Sequence, residues 1–158
     1  VEKYFGGTLP IEQAGGGEDA ELIGLASELR RKYEDAMEQF APHKALEEVF
    51  KVVQRANKYI DETAPWVLFK EGNIERINTV MNLISETIII ANTLLLPFLT
   101  DKPKMVYDNW GLKVPTSFNE YADYGFIADG TTVVKGENLY QRLDINKEIA
   151  ELNEIANS

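Results

Sequence analysis

The side chain best suited to binding another molecule in this sequence is the indole of Trp66, which directly follows Pro65. Proline disfavours a helical conformation at the residue before it, so the amphipathic segment that precedes Pro65 is predicted to end there. The predicted apolar face of that segment comprises Val53, Asn57, Ile60 and Ala64. A large flat ring held beside a helix end can stack on another planar group or cover the end of a hydrophobic core, and the residues alone leave both interpretations open.

Residues for catalysis or for metal binding are scarce. The chain has no cysteine and a single histidine, His43, which excludes thiolate and histidine-rich metal sites. No serine or cysteine lies near His43 in the sequence, so we interpret it as a turn or capping residue rather than as a general base. The three glycines at 15–17 are not followed by Lys-Ser or Lys-Thr, so they indicate a flexible loop rather than a phosphate-binding loop. We predict no catalytic and no metal-ligating residue in this chain.

The overall charge limits the kind of nucleic-acid contact that the chain can make. Lys and Arg number 16 against 26 Asp and Glu, which gives a formal net charge of −10. Broad binding to a phosphate backbone needs a basic face, because its affinity comes from neutralised phosphates and released counterions. Any contact with a nucleic acid is therefore expected to be local and directed at bases, or to be assisted by partner domains of opposite charge.

Localisation is predicted from segments that the sequence lacks. The apolar run from Thr87 to Leu99 is much shorter than the stretch of about 20 apolar residues that spans a membrane. No basic-then-apolar leader stands at the beginning of the sequence, and the absence of cysteine fits a cytosolic protein. We expect a cytoplasmic protein that does not enter a membrane.

Three segments have the apolar spacing of long helices. The first is predicted to begin at Glu18 or Asp19, with apolar positions at Leu22, Ala26, Leu29, Tyr33, Ala36 and Phe40. The second is predicted over about 44–63, with a core stripe of Leu46, Val49, Phe50, Val53, Ile60 and Ala64. The third is predicted over about 74–96, and its apolar stripe is wide enough for burial on two sides. That stripe comprises Ile74, Ile77, Val80, Met81, Leu83, Ile84, Ile88, Ile90, Ala91, Leu94 and Leu95.

Shorter elements connect and flank these helices. Val1–Phe5 resembles the tail of a helix that Gly6 and Gly7 end, since glycine adopts the left-handed conformation that closes helices. A tight connection is predicted at 71–73, before the third helix. A short helical segment around 104–110, ended by Gly111, is predicted after it.

The last third of the chain has a different pattern. Residues 112–144 lose the helical spacing and are predicted to form an irregular return segment, with a short strand near 131–134. Residues 145–158 are predicted to form a C-terminal helix behind an N-cap at Asp144. The predicted fold is a single all-α domain over 1–158, an antiparallel helical bundle with an irregular C-terminal segment and a closing helix.

Four sequence blocks resemble one known family along the whole chain. The block from Ala56 to Trp66, which reads Ala-Asn-Lys-Tyr-Ile-Asp-Glu-x-Ala-Pro-Trp, resembles a helix end in the anticodon-binding domain of bacterial-type methionyl-tRNA synthetases, which are class I enzymes. Lys3 to Pro10 resembles the end of that domain's first helix, and Leu94 to Leu99 resembles the exit of its third long helix. Gly136 to Asp144 resembles its closing motif, with less proline than is usual there.

The resemblance implies a function and two site residues. The family reads the CAU anticodon of methionine tRNA, and the tryptophan that matches Trp66 stacks on an anticodon base while the proline that matches Pro65 sits beside it. The family's base-contacting Asn and Arg on its first helix would fall before Val1. Lys70 is close enough to Trp66 in sequence to reach a phosphate, although a solvated lysine is the simpler interpretation. Asn57 is interpreted as a buried polar contact rather than as a base reader.

The resemblance also implies a parent enzyme with which this chain works. That enzyme joins methionine to its tRNA with ATP and Mg²⁺, and zinc is a further candidate cofactor, all in a catalytic half whose signatures do not occur here. The fragment alone is therefore expected to need no cofactor and to be inactive in aminoacylation. Its implied partners are the anticodon loop of methionine tRNA and the catalytic domain of the same enzyme, toward which the closing helix is expected to pack.

Two alternative functions remain compatible with these residues. A helical interaction or scaffold domain without RNA binding would bury Trp66 in its core. A tRNA-binding relative without synthetase activity would keep the stacking residue but lack the nucleotide-site signatures upstream. Fluorescence of the indole tests the first alternative, since a stacking residue is accessible in the free protein and is quenched by RNA.

Overall fold

The computed structural model describes residues 6–9, 16–127, 131–140 and 144–156. The predicted helix tail at Val1–Phe5 lies outside these ranges. The helices are α1 (Glu18–Glu38), α2 (Pro42–Thr63), α3 (Pro65–Glu71), α4 (Ile74–Leu95), α5 (Lys102–Asn109) and α6 (Ile145–Ala156). Two short strands, β1 (Thr8–Leu9) and β2 (Thr131–Thr132), pair in antiparallel register with Thr8 opposite Thr132. The predicted all-α bundle is confirmed, with this small sheet added to it.

Helix α1 has the apolar face that its sequence spacing predicts, with the exception of one residue, Phe40. Its buried apolar side chains are Leu22, Ala26, Leu29, Tyr33 and Ala36. The assignment of Phe40 to this face was wrong, because the helix ends at Glu38 and Phe40 adopts a left-handed conformation with φ 55°. Its ring is 93% exposed. The turn that projects it outward is closed by a hydrogen bond from the Ala41 N–H to the Ala36 carbonyl, at 2.9 Å.

Helix α2 buries a face that overlaps only in part with the predicted stripe: Val49 is buried, and Val53 and Ile60 pack against the core. Its buried side chains are Ala45, Val49, Val52, Arg55, Ala56 and Tyr59. Phe50 is 51% exposed, and Asn57, predicted as a buried polar contact, is exposed as well. The spacing of large apolar residues was misleading, since α1 packs on the side of α2 that carries small alanines. Tyr59 is also buried, and its hydroxyl donates a hydrogen bond to the Asp19 carboxylate.

Helix α4 is buried on two sides, as its wide apolar stripe predicts. Several polar side chains are buried with it, and they bond inside the protein. Thr87 and Thr93 each donate to the carbonyl one turn back, at 2.7 Å, and each is hydrogen-bonded to a tyrosine hydroxyl at 2.6 Å. The tyrosines are Tyr124 in the return segment and Tyr107 in α5. Two members of the predicted stripe do not match, since Ile74 at the start of the helix and Ile88 in its second half are exposed.

The return segment is attached to α4 by a buried carboxylate. Glu86 accepts the backbone N–H groups of Gly125, at 2.7 Å, and of Ile127, at 3.3 Å. Burial raises the pKa of this carboxyl group, and the two N–H donors oppose that rise. Burial also raises the pKa of the neighbouring Tyr124 hydroxyl, to about 12. The return segment is thus positioned by hydrogen bonds to side chains of α4 rather than by regular secondary structure.

The remaining elements agree with the sequence in type and differ in length. Helix α5 begins two residues before the predicted segment, and Gly111 closes it at φ 59°. Helix α6 leaves its apolar side chains exposed, namely Ile145, Ile149, Leu152 and Ile155. Among the helices that the structure describes, none has the length and apolar content needed to cross a membrane.

Two buried tyrosines give a direct test of this packing. The Tyr33 hydroxyl is buried and has no hydrogen-bond partner among the described residues, whereas the Tyr107 hydroxyl bonds to Thr93. We expect Tyr107→Phe to lower the free energy of unfolding by roughly 1 kcal/mol, because a buried hydrogen bond is lost. Tyr33→Phe should leave it unchanged or raise it, because no bond is lost and a polar atom is removed from the core. Urea denaturation measures both, and an equal loss in the two variants would contradict the assignment.

Candidate nucleic-acid interface

The chain changes direction at Ala64, which ends α2 and begins α3. Ala64 adopts a left-handed conformation with φ 41°, and its N–H donates to the Ile60 carbonyl at 3.0 Å. Its own carbonyl accepts the N–H of Val67, at 2.8 Å, in the first turn of α3. Pro65 takes the first helical position, where a missing N–H has no cost. The predicted chain break is therefore a corner between two helices, and Pro65 starts a helix as well as ending one.

The two predicted site residues lie side by side on α3 but differ in burial. Pro65 is buried, whereas Trp66 is 45% exposed. Leu68 is half-buried against the cluster that contains Tyr59 and Val80. Pro65 and Leu68 thus attach α3 to the bundle and leave the indole face of Trp66 partly in solvent.

The other exposed side chains of α3 extend the surface around Trp66. They are Val67, Phe69, Lys70 and Glu71. Exposed apolar and aromatic groups next to one lysine make a surface suited to stacking and to a single phosphate contact. Apolar groups predominate on this surface, which is a poor match for extended backbone binding.

The end of α3 is defined by a second tight corner. Gly72 has φ 73°, and the N–H of Asn73 donates to the Leu68 carbonyl at 3.0 Å. The Asn73 side chain then caps α4 by accepting the Arg76 N–H at 3.2 Å. The predicted tight connection at 71–73 is confirmed, and the capping role of Asn73 is an addition to it.

A buried ionic cluster lies beneath these corners. The carboxylate of Asp19, in the first turn of α1, is completely buried. It accepts two N–H groups of Arg76, at 2.6 and 2.8 Å, and the hydroxyl of Tyr59, at 2.6 Å. The hydrogen bond to Asp19 raises the pKa of the Arg76 guanidinium, and burial together with the same carboxylate raises the pKa of Tyr59. Sequence reasoning treated Asp19 only as an acid at the positive end of a helix.

A second ionic cluster links the same two helix ends. Arg55 is buried and pairs with Glu21 of α1, at 2.8 Å, and with Glu62 of α2, at 3.0 Å. Its guanidinium also lies over the Tyr59 ring, 5.9 Å from the centroid. The first turn of α1 is therefore bound to the last turns of α2 by two sets of contacts, which meet at Tyr59.

His43 and metal-binding groups play no visible part in this surface. His43 is exposed in the first turn of α2, where Ala41 occupies the cap position, so the capping role expected for His43 was wrong. In the ranges that the structure describes, no three His, Asp or Glu side chains are arranged as metal ligands.

Comparison with known proteins connects this geometry to a family. A family model described as the anticodon binding domain of methionyl tRNA ligase matches residues 9–154. The methionine–tRNA ligase of Caldanaerobacter subterraneus is 39% identical over 153 residues, which cover 96% of this chain and 24% of that protein. The ligase of Clostridium tetani is 37% identical over 156 residues, which cover 98% of this chain and 24% of that protein. The apo methionyl-tRNA synthetase of Mycobacterium tuberculosis has TM-score 0.81 and 25% identity, covering 91% of this chain and 30% of that one.

The helical bundle thus has the fold of a synthetase anticodon-binding domain. The chain belongs to the family of anticodon-binding domains of methionyl-tRNA ligase. The resemblance seen in the sequence is confirmed. The chain spans about a quarter of the length of the curated relatives that it matches.

The corner at Ala64 can be tested by its backbone conformation. A left-handed conformation costs an alanine roughly 1 kcal/mol and costs glycine almost nothing, so we expect Ala64→Gly to preserve or raise the free energy of unfolding. Ala64→Val should lower it by roughly 1–3 kcal/mol, because a β-branched residue tolerates that conformation worse. The matched control is Ala91→Gly, inside α4 about one turn before its end, which should be destabilising. Thermal denaturation compares the three, and a loss at Ala64→Gly as large as the control's would contradict the assigned corner.

Proposed function

We propose that this chain recognises the CAU anticodon of methionine tRNA by stacking an anticodon base on Trp66, with Pro65 fixing the position of the indole. The observation that carries the proposal is the partial exposure of Trp66 on a helix whose neighbouring Pro65 is buried. A ring held in this way has a free face for a base and little freedom to turn away. Membership in a family of anticodon-binding domains supports RNA as the ligand.

Stacking is compatible with the acidic composition of the chain. Three basic side chains near α3 form ion pairs within the protein, namely Arg55, Lys58 and Arg76. Lys70, in the last turn of α3, is left as the candidate for a phosphate contact. Base stacking on an aromatic ring contributes roughly 1–3 kcal/mol per base, and it requires no basic surface. Unpaired bases in an RNA loop are accessible to such contacts, whereas paired bases are not.

The relatives support a role for this chain within a larger enzyme, since it matches about a quarter of their length. We infer that it serves as the tRNA-binding part of a methionine–tRNA ligase, which acts in the cytoplasm. ATP, Mg²⁺ and any zinc would bind to the remainder of that enzyme, and this chain alone would not aminoacylate. The exposed apolar side chains of α6 suit contact with the catalytic domain of the same enzyme.

The decisive experiment compares Trp66→Ala with the parent sequence in the full-length protein. We expect at least about a tenfold loss in kcat/KM for methionine tRNA, because about 1.4 kcal/mol of stacking is removed. Methionine activation by ATP should be unchanged, since that reaction does not use the anticodon. Trp66→Phe should lose less, because a smaller aromatic face is retained.

Phe50→Ala is the matched control, since it removes a similarly exposed ring from α2 far along the chain from α3. It should leave aminoacylation unchanged. Normal aminoacylation by a stably folded Trp66→Ala protein would contradict the stacking role, and it would favour a helical interaction domain in which the indole serves packing.

A further inference from the structure

We propose that Asp19 is a positioning residue for RNA recognition, because its buried carboxylate joins the two helices that flank α3 and so fixes the orientation of Trp66. This inference rests on the proposed function, since it concerns the same stacking surface. Asp19 itself is completely buried and makes no contact with RNA. Its effect would be transmitted through α3.

The geometry places the attachments of Asp19 on both sides of α3. Tyr59 stands near the end of α2, shortly before the corner at Ala64, and Arg76 stands in the first turn of α4, shortly after the corner at Gly72. One carboxylate on α1 accepts hydrogen bonds from both, at 2.6 to 2.8 Å. The chain before α3 and the chain after it are thereby bonded to a single group.

Helix α3 needs such attachment because it is short. It has 7 residues, and an isolated helix of that length is unstable in water. Its own contacts with the bundle come mainly from Pro65 and Leu68, while most of its side chains are exposed. Both of its corners use a left-handed residue, which permits the sharp changes of direction. The orientation of α3 is therefore determined mainly by where its two ends are held.

The chemistry of the contact favours a fixed geometry over a loose one. A planar guanidinium that donates two parallel bonds to one carboxylate has a defined direction, which a single point charge lacks. Both Oδ atoms of Asp19 are occupied by Arg76, and Oδ1 also accepts the Tyr59 hydroxyl. In Asp19→Asn the amide would present an N–H group to one of these donors, so at least one bond is lost and the ion pair is removed.

The second ionic cluster allows the variant to fold. Arg55 joins Glu21 of α1 to Glu62 of α2 without using Asp19. The helix pair also has its apolar contacts, which the substitution leaves in place. The consequence of Asp19→Asn should thus be a looser attachment of α4 at Arg76, and with it a more mobile α3.

A mobile indole must be ordered when RNA binds, and this lowers the affinity. The cost of immobilising one side chain corresponds to roughly a three- to tenfold weaker binding of RNA. We expect this loss for Asp19→Asn, measured as kcat/KM for methionine tRNA in the full-length protein. Methionine activation should be unchanged.

The test that separates positioning from general destabilisation is a double-mutant cycle with Trp66→Ala. If Asp19 acts through Trp66, Asp19→Asn has no further effect on kcat/KM for tRNA once the indole is absent. The matched control is Glu86→Gln, which also converts a buried carboxylate on which two backbone N–H groups converge into an amide, but on α4 where it contacts the return segment. It should lower stability and leave tRNA recognition unchanged.

A second pair of variants covers the case in which Asp19→Asn does not fold. Tyr59→Phe removes one hydroxyl bond to Asp19, and Tyr107→Phe removes an equally buried hydroxyl bond to Thr93 at a distant position. In a Trp110→Phe variant of this 158-residue chain Trp66 is the sole indole, so its time-resolved fluorescence anisotropy reports its mobility on the nanosecond timescale. Tyr59→Phe should increase that mobility, and Tyr107→Phe should not.

The outcomes distinguish the two proposals. If Trp66→Ala has no effect on tRNA recognition, the proposed function fails and the positioning role fails with it. If Trp66→Ala has its effect but the effect of Asp19→Asn is additive to it, or equal to that of Glu86→Gln, the positioning role alone is overturned. An unchanged mobility of Trp66 in Tyr59→Phe would overturn it as well. Non-additivity together with an increased indole mobility supports it.

Discussion

The structure depends on the burial of α4 on two sides, because that helix carries polar groups that must find partners inside the protein. A buried polar group without a partner costs more than a formed hydrogen bond contributes, so each one constrains its surroundings. Glu86 and Thr87 bond to the return segment, and Asn92 and Thr93 bond to α5. The path of the irregular C-terminal part is thus determined by side chains on a helix, although that part has almost no regular secondary structure.

The first turn of α4 applies the same constraint at the opposite end of the helix. There the group that needs a partner is the Arg76 guanidinium, and the partner is a carboxylate far away in sequence. The burial of Asp19 is compensated by the donors Arg76 and Tyr59, and removing Arg76 would leave its charge without a counter-ion. The helix that presents Trp66 is inserted between these two donors. If Asp19 positions Trp66 as proposed, core packing and the placement of the indole would rely on one set of bonds.

What the sequence predicts well is what local spacing determines. The buried face of α1 and the two-sided burial of α4 follow from apolar periodicity, and the corner before Trp66 follows from the conformational limits of Pro65. The face of α2 was predicted only in part: Val49 is buried as expected, but Phe50 is exposed, and small alanines and Tyr59 are buried instead. The role of Asp19 could not be predicted, since its partners are distant in sequence and an acid in a first helical turn has an ordinary local explanation.

On the proposed function, the acidic side chains around α3 would add selectivity to the stacking of a base on Trp66. Glu71 and Glu75 are exposed on either side of the corner at Gly72, and Asp61 is exposed near the end of α2. Like charges placed near an RNA backbone oppose binding of a duplex stem or of any strand through its phosphates. A base that is extended from a loop carries no charge on its flat face, so it can approach Trp66 with less of that repulsion. On the proposed function, attraction by stacking and repulsion of phosphates would act together, and they would favour an unpaired loop base over the RNA backbone.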